Sequence, residues 1–396
     1  MLLFQVMPLH AQIDNSVYSI FGLGELVDNN IGMNRSLGGT GIAFQSGTAI
    51  NYMNPASYIG ITPHAFMVEA GAYCIYNNAA KRSLTRTHKN MDFSYGSLGV
   101  YVTDWWTLSA GILPFSHIGY GVTTTVAVDG GRSTYDKTVQ GSGSIKRAYI
   151  GNSFGIMEGL AAGVDLCYVG GSIRESESSA GNSDLSGYEL RNTLSLQTWY
   201  LSYGVQYTLM DQDLAYTAGL VYSGAAGLDA SDNLTLTSNA TTTALAHSER
   251  SAMKIPQRVG FGLAAKTSRF RAGIDYEWQN WADVKFTSAR AGTRNSSRYS
   301  FGVEYFMPRT DAQISPVSYR AGANYRSSYL EVGSATVNAF ALTIGMGIPL
   351  RGVTLSVSVE YGEEGTLDNG LVRNRYGMFY ASVNVFEIWR SLGLDD

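Results

Sequence analysis

Long apolar runs are missing from this chain. No window approaches the roughly 18 consecutive apolar residues of a membrane helix, so any crossing of a bilayer must be made by strands. Charge is scarce too: Asp, Glu, Lys and Arg are 15% of the 396 residues, against about 25% in an ordinary soluble chain. The net charge of -4, with no basic, aromatic-interleaved patch, argues against nucleic acid as a partner. The two cysteines, Cys74 and Cys167, fall on different predicted strands and opposite faces, which excludes a disulfide between them. The five histidines (His10, His64, His88, His117, His247) are dispersed without ligand spacing, so no metal site is expected. None sits within a predicted strand beside a candidate nucleophilic Ser, and Gly141-Ser142-Gly143 precedes a strand rather than a helix. No catalytic residues, no cofactor and no enzymatic activity are expected.

What the chain does have is 45 Gly, 26 Tyr and only 8 Pro, and a period of two that recurs from Phe66 onward. Trp199, Leu201, Tyr203, Val205 and Tyr207 alternate with Tyr200, Ser202, Gly204, Gln206 and Thr208. Phe270, Ala272, Ile274, Tyr276 and Trp278 alternate with Arg271, Gly273, Asp275, Glu277 and Gln279. A soluble sandwich would carry charge on its outer face. Here the polar face is mostly Gly, Ser and Thr and the apolar faces end in aromatics, which suits lipid outside and a polar lumen inside.

Strands are predicted at 66–76, 92–102, 105–115, 145–156, 159–173, 193–209, 213–223, 257–266, 269–279, 298–307, 317–326, 337–349, 353–361 and 375–386. Short turns alternate with long polar loops at 77–91, 116–144, 174–192, 224–256, 280–297, 327–336 and 362–374. The expected fold is therefore all-β, a 14-stranded antiparallel transmembrane β-barrel over 63–396. Short turns and both termini would face the periplasm and the long loops the outside of a bacterial outer membrane. Residues 1–11, MLLFQVMPLHA, read as part of a signal peptide with processing near Ala11 and no Lys or Arg before Leu2.

One long piece does not alternate: Asn34 to Tyr58, rich in small residues, with Arg35 the only full charge between Asp28 and Glu69. A barrel of this size has a lumen too wide for its own inward side chains to fill. Residues 12–62 are expected to form an N-terminal hatch within it; an ordinary surface loop is the competing reading. Ser46 is a candidate N-cap for a short helix over Thr48 to Met53, which Pro55 would end.

At this point the residues resemble a known family. Gly39-Thr40-Gly41-Ile42-Ala43, Thr48-Ala49 and Asn54-Pro55-Ala56 resemble the hatch of the FadL family of outer-membrane transporters of long-chain fatty acids and other hydrophobic compounds. Ile112-Leu113-Pro114-Phe115-Ser116 with Gly119-Tyr120, Lys254-Ile255-Pro256, Tyr319-Arg320-Ala321-Gly322-Ala323-Asn324-Tyr325, Gly347-Ile348-Pro349-Leu350 and Glu360-Tyr361-Gly362 continue the likeness, in the form common in Bacteroidetes. The motif residues singled out are Gly39, Gly41, Asn54, Pro55 and Ala56. Gln45-Ser46-Gly47 stands where the family's hatch often carries an acidic pair. The resemblance implies a passive transporter of hydrophobic small molecules in contact with outer-membrane lipid and lipopolysaccharide. The alternative it leaves open is a barrel that carries no cargo and serves as partner or scaffold in an envelope or protein-secretion complex.

Inward charges are the candidate site. Arg258, Lys266, Arg271, Arg320 and Arg326 share the predicted lumen with Asp275, Glu277, Glu304 and Glu360. They either neutralise one another and hold the hatch, or free Arg271 or Arg320 to receive the carboxylate of an amphiphile whose tail lies on Phe44, Ile50 and Met53. Loop 224–256, poor in charge, has two readings, an apolar collecting groove or a mobile polar loop. Loop 77–91, with Lys81, Arg82, Arg86 and Lys89, either touches lipopolysaccharide phosphates or is simply solvated.

Overall fold

The computed structural model describes residues 17–388 except 82–83, 128–133, 181–185, 240, 251–252, 285–291, 309–315, 333–334, 351 and 368–370. The signal-peptide reading of residues 1–11 lies outside the described residues. Fourteen antiparallel strands close into a ring. They are β1 (Ala65–Lys81), β2 (Leu84–Thr103), β3 (Trp106–Ala127), β4 (Thr134–Met157), β5 (Leu160–Ser179), β6 (Tyr188–Asp211) and β7 (Leu214–Ser223). The ring continues with β8 (Arg258–Lys266), β9 (Phe270–Gln279), β10 (Ser296–Phe306), β11 (Ser318–Val332), β12 (Ala335–Leu350), β13 (Val353–Gly365) and β14 (Arg373–Ile388). β14 pairs back onto β1, with Ala65 opposite Ile388, and so leaves no sheet edge there.

The two faces separate as the period of two requires. Phe270, Ile274 and Tyr276 are exposed on the outside, while Arg271, Asp275 and Glu277 between them are buried within. Cys74 is exposed, Cys167 is buried, and both are free.

Most of the expected long loops are instead continuations of strands. β3 and β4 stay in register out to Ala127 opposite Thr134, and β5 and β6 to Ser179 opposite Tyr188. Within 224–256, a hairpin of Asp229–Ser238 and Thr241–Arg250 adds to the outer half of β6. Polar composition reports exposure rather than conformation. Once two strands are paired, Thr-rich backbone prolongs the ladder into water as readily as into lipid.

One seam of the wall is incomplete. β2 and β3 pair only from Gly96–Ile112 to Thr103–Trp106. Beyond that, β2 follows β1 and β3 follows β4. The cause is a register shift between Gly71 and Ala72, opposite which Ser94 and Tyr95 both turn inward. The free edge of β3 is met from inside the ring: Glu25 and Leu26 pair with His117 and Ser116, and Val27 N donates to Phe115 O at 2.9 Å.

The expected helix over Thr48–Met53 is absent. Ser46 Oγ does accept from Thr48 N (3.3 Å), but turns follow. The short 3-10 helices lie at Val17–Ile20, Gly32–Leu37 and Pro55–Gly60. Pro55 therefore begins a helix rather than ending one: its fixed φ and missing N–H suit the first helical position, and Asn54 caps it by accepting from Ala56 N at 3.0 Å.

Candidate functional site

Residues 30–58 reach the inward face of strands all round the ring, which is possible only from within a closed wall. Asn54, fully buried, donates to Ile42 O (2.8 Å) and to Val205 O on β6 (3.2 Å). Asp275 on β9 accepts from Gly41 N at 2.6 Å and Ile42 N at 3.0 Å. Gly38 N donates to Thr343 Oγ1 on β12 at 2.9 Å. Tyr58 donates to Asp165 on β5 (3.2 Å), and Ser153 on β4 donates to Ala56 O (2.9 Å). Wall glycines make the approach possible: a Cβ at Gly322 would stand 2.2 Å from Gly38 N, and one at Gly163 would stand 2.4 Å from Pro55.

A lattice of buried charge reinforces these bonds. Glu304, 1% exposed, takes Arg271 and, at 2.8 Å, Arg320. Glu277 takes Arg258 (2.6 Å) and Arg298 (3.2 Å). Two of these arginines also grip the inner segment, Arg271 at Gln45 O (2.9 Å) and Arg298 at Gly38 O (3.0 Å). From the inner segment itself, Asp28 pairs with Arg326 (3.2 Å) and Arg35 stands 3.8 Å from Glu360. Burial by itself would raise the Asp28 carboxyl, but the Arg298, Arg326 and Arg35 guanidiniums outweigh it and hold the group down at about 2. Glu69 accepts from Tyr95, from Asn384 at 3.1 Å and from Ile50 N at 3.3 Å.

The five expected ligand residues do not share one pocket. Phe44 lies under the Arg271 guanidinium, 4.6 Å from ring centre to Cζ, and both line a recess of about 370 Å³ at the short-turn end, together with Lys266. Arg320 is joined to Arg271 through Glu304 but does not line that recess. Ile50 packs with Tyr58 and Ile61, and Met53 with Ile42 and Val221, on other parts of the wall. Arg147, Asp165, Glu69 and Arg298 were not among the expected site residues. Extending the inward phase of Tyr149 and Ser153 by two would have placed Arg147 inside.

The opposite end of the lumen is filled by an apolar cluster in which Trp281 stacks on Tyr329 (4.4 Å between centroids) above Tyr18 and Leu23. Leu228, Ala230, Met253 and Ile255, from the stretch read as a groove or a mobile loop, are buried in that cluster. Between cluster and inner segment lies a cavity of about 110 Å³ reached by Tyr52, Phe115, Arg147 and Tyr200.

A closed ring of 14 strands with an inner segment bonded to its polar lining defines the class of β-barrels whose lumen is occupied by their own chain. The solved structures agree in fold. A toluene transporter of Ralstonia pickettii, TbuX, superposes with a TM-score of 0.60 at 14% identity over 90% of this chain and 98% of that one. The Pseudomonas putida toluene transporter TodX gives 0.59 at 16% identity over 92% and 99%. A Pseudomonas aeruginosa FadL homologue gives 0.59 at 11% over 93% and 100%. No curated protein matches the chain in sequence. The chain belongs to the BamG family, whose profile matches residues 1–391. The FadL likeness is thus one of architecture, carried on a chain of a different family.

Proposed function

We propose that this barrel acts in the outer membrane as a fixed partner or scaffold in an envelope complex, with residues 12–62 serving as a locked hatch and the short turns and both termini on the periplasmic side. The observation that carries the reading is the double use of Glu304 and Glu277, each of which serves two arginines, one of which in turn holds a hatch carbonyl. A hydrogen bond from a charged donor is worth about 1.5–3 kcal/mol, so giving up the two carbonyls held by these immobilised arginines makes displacing the hatch expensive. The cavity in the lumen, about 110 Å³, is also small beside the roughly 300–1,000 Å³ of pockets for drug-sized ligands, and the recess at the short-turn end, about 370 Å³, lies at the low edge of that range. The test is purification in mild detergent: a large protein partner should co-purify in stoichiometric amount. A barrel that is always recovered alone, with a retained amphiphile seen by native mass spectrometry, would overturn it.

The second reading is a passive, cofactor-free route for long-chain fatty acids or other hydrophobic small molecules, by likeness to the toluene transporters and the FadL homologue that share the fold. Two observations favour it. The β2–β3 seam is open in its outer half. The recess beneath the short turns sets Arg271, whose Nε is buried without a partner, against Phe44, as an amphiphile's carboxylate and tail would need. In this reading lipid and lipopolysaccharide surround the wall and the ligand leaves sideways through the seam.

A further inference from the structure

A groove on the outer surface of the wall crosses from apolar to charged residues. It runs over β13, β14, β1 and β2, measures about 820 Å³ and is bordered by Cys74, Tyr76, Lys89, Met91 and Phe379. Its floor is Gly377, where an added Cβ would meet no atom within 4 Å. Strand pairing sets its level in the wall. Tyr361, Gly377, Tyr76 and Lys89 form one cross-strand row, so the glycine leaves a gap between two exposed tyrosines. The next row toward the short turns, Val359, Phe379, Cys74 and Met91, is apolar. The next row away from them, Glu363, Arg375, Asn78 and Thr87, is polar. Phe66 and Tyr76, both on the outer face, are ten residues apart along β1. At about 3.3 Å per residue and a tilt of about 40° they bracket the roughly 25 Å of an apolar band. The gap therefore lies at the interface on the long-strand side, within its belt of tyrosines. Arg375, at the polar end of the groove, is held by Glu363 at 2.7 Å. Lys89 pairs with no carboxylate of any described residue, and its Nζ stands 5.7 Å from the centre of the Tyr76 ring.

We propose that this groove seats one lipopolysaccharide molecule, with an acyl chain over Gly377 against Cys74, Met91 and Phe379 and a lipid A phosphate on the Lys89 ammonium. An apolar channel that ends at an uncommitted cation matches a lipid that carries its anion directly above its chains. An ammonium serves phosphate as a point charge, without the oriented fork of an arginine. The choice of lipopolysaccharide over phospholipid rests on the orientation proposed above, which puts the long-strand side in the outer leaflet. The site is separate from the lumen and holds whether the barrel is a partner or a route.

The test is native mass spectrometry of the full barrel in detergent, titrated with purified lipid A, with lipid A stripped of its phosphates, and with phosphatidylglycerol. Lipid A should give a saturable one-to-one adduct, and the other two should bind about tenfold more weakly or less, the dephosphorylated lipid through loss of one charged hydrogen bond. Gly377→Leu fills the gap at a lipid-facing position and should abolish the adduct. Lys89→Gln should bring lipid A down to the level of its dephosphorylated form. Should Gly377→Leu fail to fold, Cys74→Phe blocks the groove from the neighbouring strand with the same expected loss. Adducts that accumulate without saturation, phosphatidylglycerol or dephosphorylated lipid as tight as lipid A, or an adduct unchanged by these substitutions would each overturn the proposal. Orientation is read separately, by labelling Asn239→Cys, at the exposed tip of the Asp229–Arg250 hairpin, on intact cells with an impermeant maleimide and wild type as the blank. No label there would overturn the orientation, and with it the choice of lipopolysaccharide, whatever the titration gives.

Discussion

Replacing Glu304 by Gln should release the inner segment while sparing the barrel. The carboxylate is 1% exposed and is the shared partner of Arg271 and Arg320. Gln keeps the shape and one acceptor oxygen but removes the charge, leaving two guanidiniums in a buried site. Arg271 retains Gln45 O, Met33 Sδ and the Phe44 ring, none of which is anionic. Breaking a buried pair in this way costs about 3–5 kcal/mol, borne mainly by the strands that carry it; the bond it loosens on the inner segment, Arg271 to Gln45 O, is worth about 1.5–3 kcal/mol, so the population of the displaced segment should rise by about 10- to 10²-fold at about 1.4 kcal/mol per tenfold. The wall should survive, since its ladders do not depend on this side chain. Planar-bilayer conductance should rise from near closed to frequent openings, and protease added to the short-turn side should cut within residues 30–58. Adding Arg271→Gln to the same chain removes one surplus charge and should partly restore closure. Conductance and cleavage identical to wild type would show that the charge lattice is not what holds the segment.

The remaining predictions concern other fastenings. Asn54→Ala removes the cap of the Pro55–Gly60 helix and the donors to Ile42 O and Val205 O, and should lower the stability of the seated segment by about 2 kcal/mol, measured by urea-dependent proteolysis. Gly38→Ala places a methyl 2.5 Å from Ala323 N at φ 65°, so it should leave the segment unseated and conductance high even though the barrel still forms. The Asp28 carboxyl is depressed to about 2, so its contribution is fully present above the ordinary value of about 3.9 and is lost as pH falls through about 2. Closure should accordingly be unchanged from pH 7 to about 5 and weaken below pH 4, and Asp28→Asn should reduce that acid dependence. Ile274→Arg, on the exposed outer face, should cost about 2–4 kcal/mol in lipid vesicles if it lies near the bilayer centre, read from folding titrations; a neutral result would mean that this face does not meet lipid.

The wall was readable because lipid imposes a binary demand on every second residue: Phe270 to Trp278 states its two faces without reference to any neighbour. The inner segment was readable for the converse reason, since Asn34 to Tyr58 keeps no such period. Its local structure was not. The same Asn54-Pro55 step can end a helix or cap one, and the choice is made by Val205 O and Ile42 O, which hold the Asn54 side chain from a distant strand and an earlier turn. The strand extensions at Ala127 and Thr134 were obscured because a two-stranded ladder in water selects for polar residues as a loop does.

The site was only half readable, and the reason lies in register. Alternation says that Arg271, Glu304 and Arg320 face inward, but only the pairing of β9, β10 and β11 sets them in one row, Arg271 opposite Glu304 and Glu304 opposite Arg320. That row gives both candidate ligand anchors one shared carboxylate. The same logic isolates Arg147: its cross-strand neighbours are Leu113 and Val169, so pairing supplies it with no acid. A guanidinium on an inward face is thus paired or left without an acid according to what the adjacent strands place beside it. In this barrel the arginines of β8 to β11 meet Glu277, Glu304 or Glu364, whereas the one on β4 meets aromatic rings and open space.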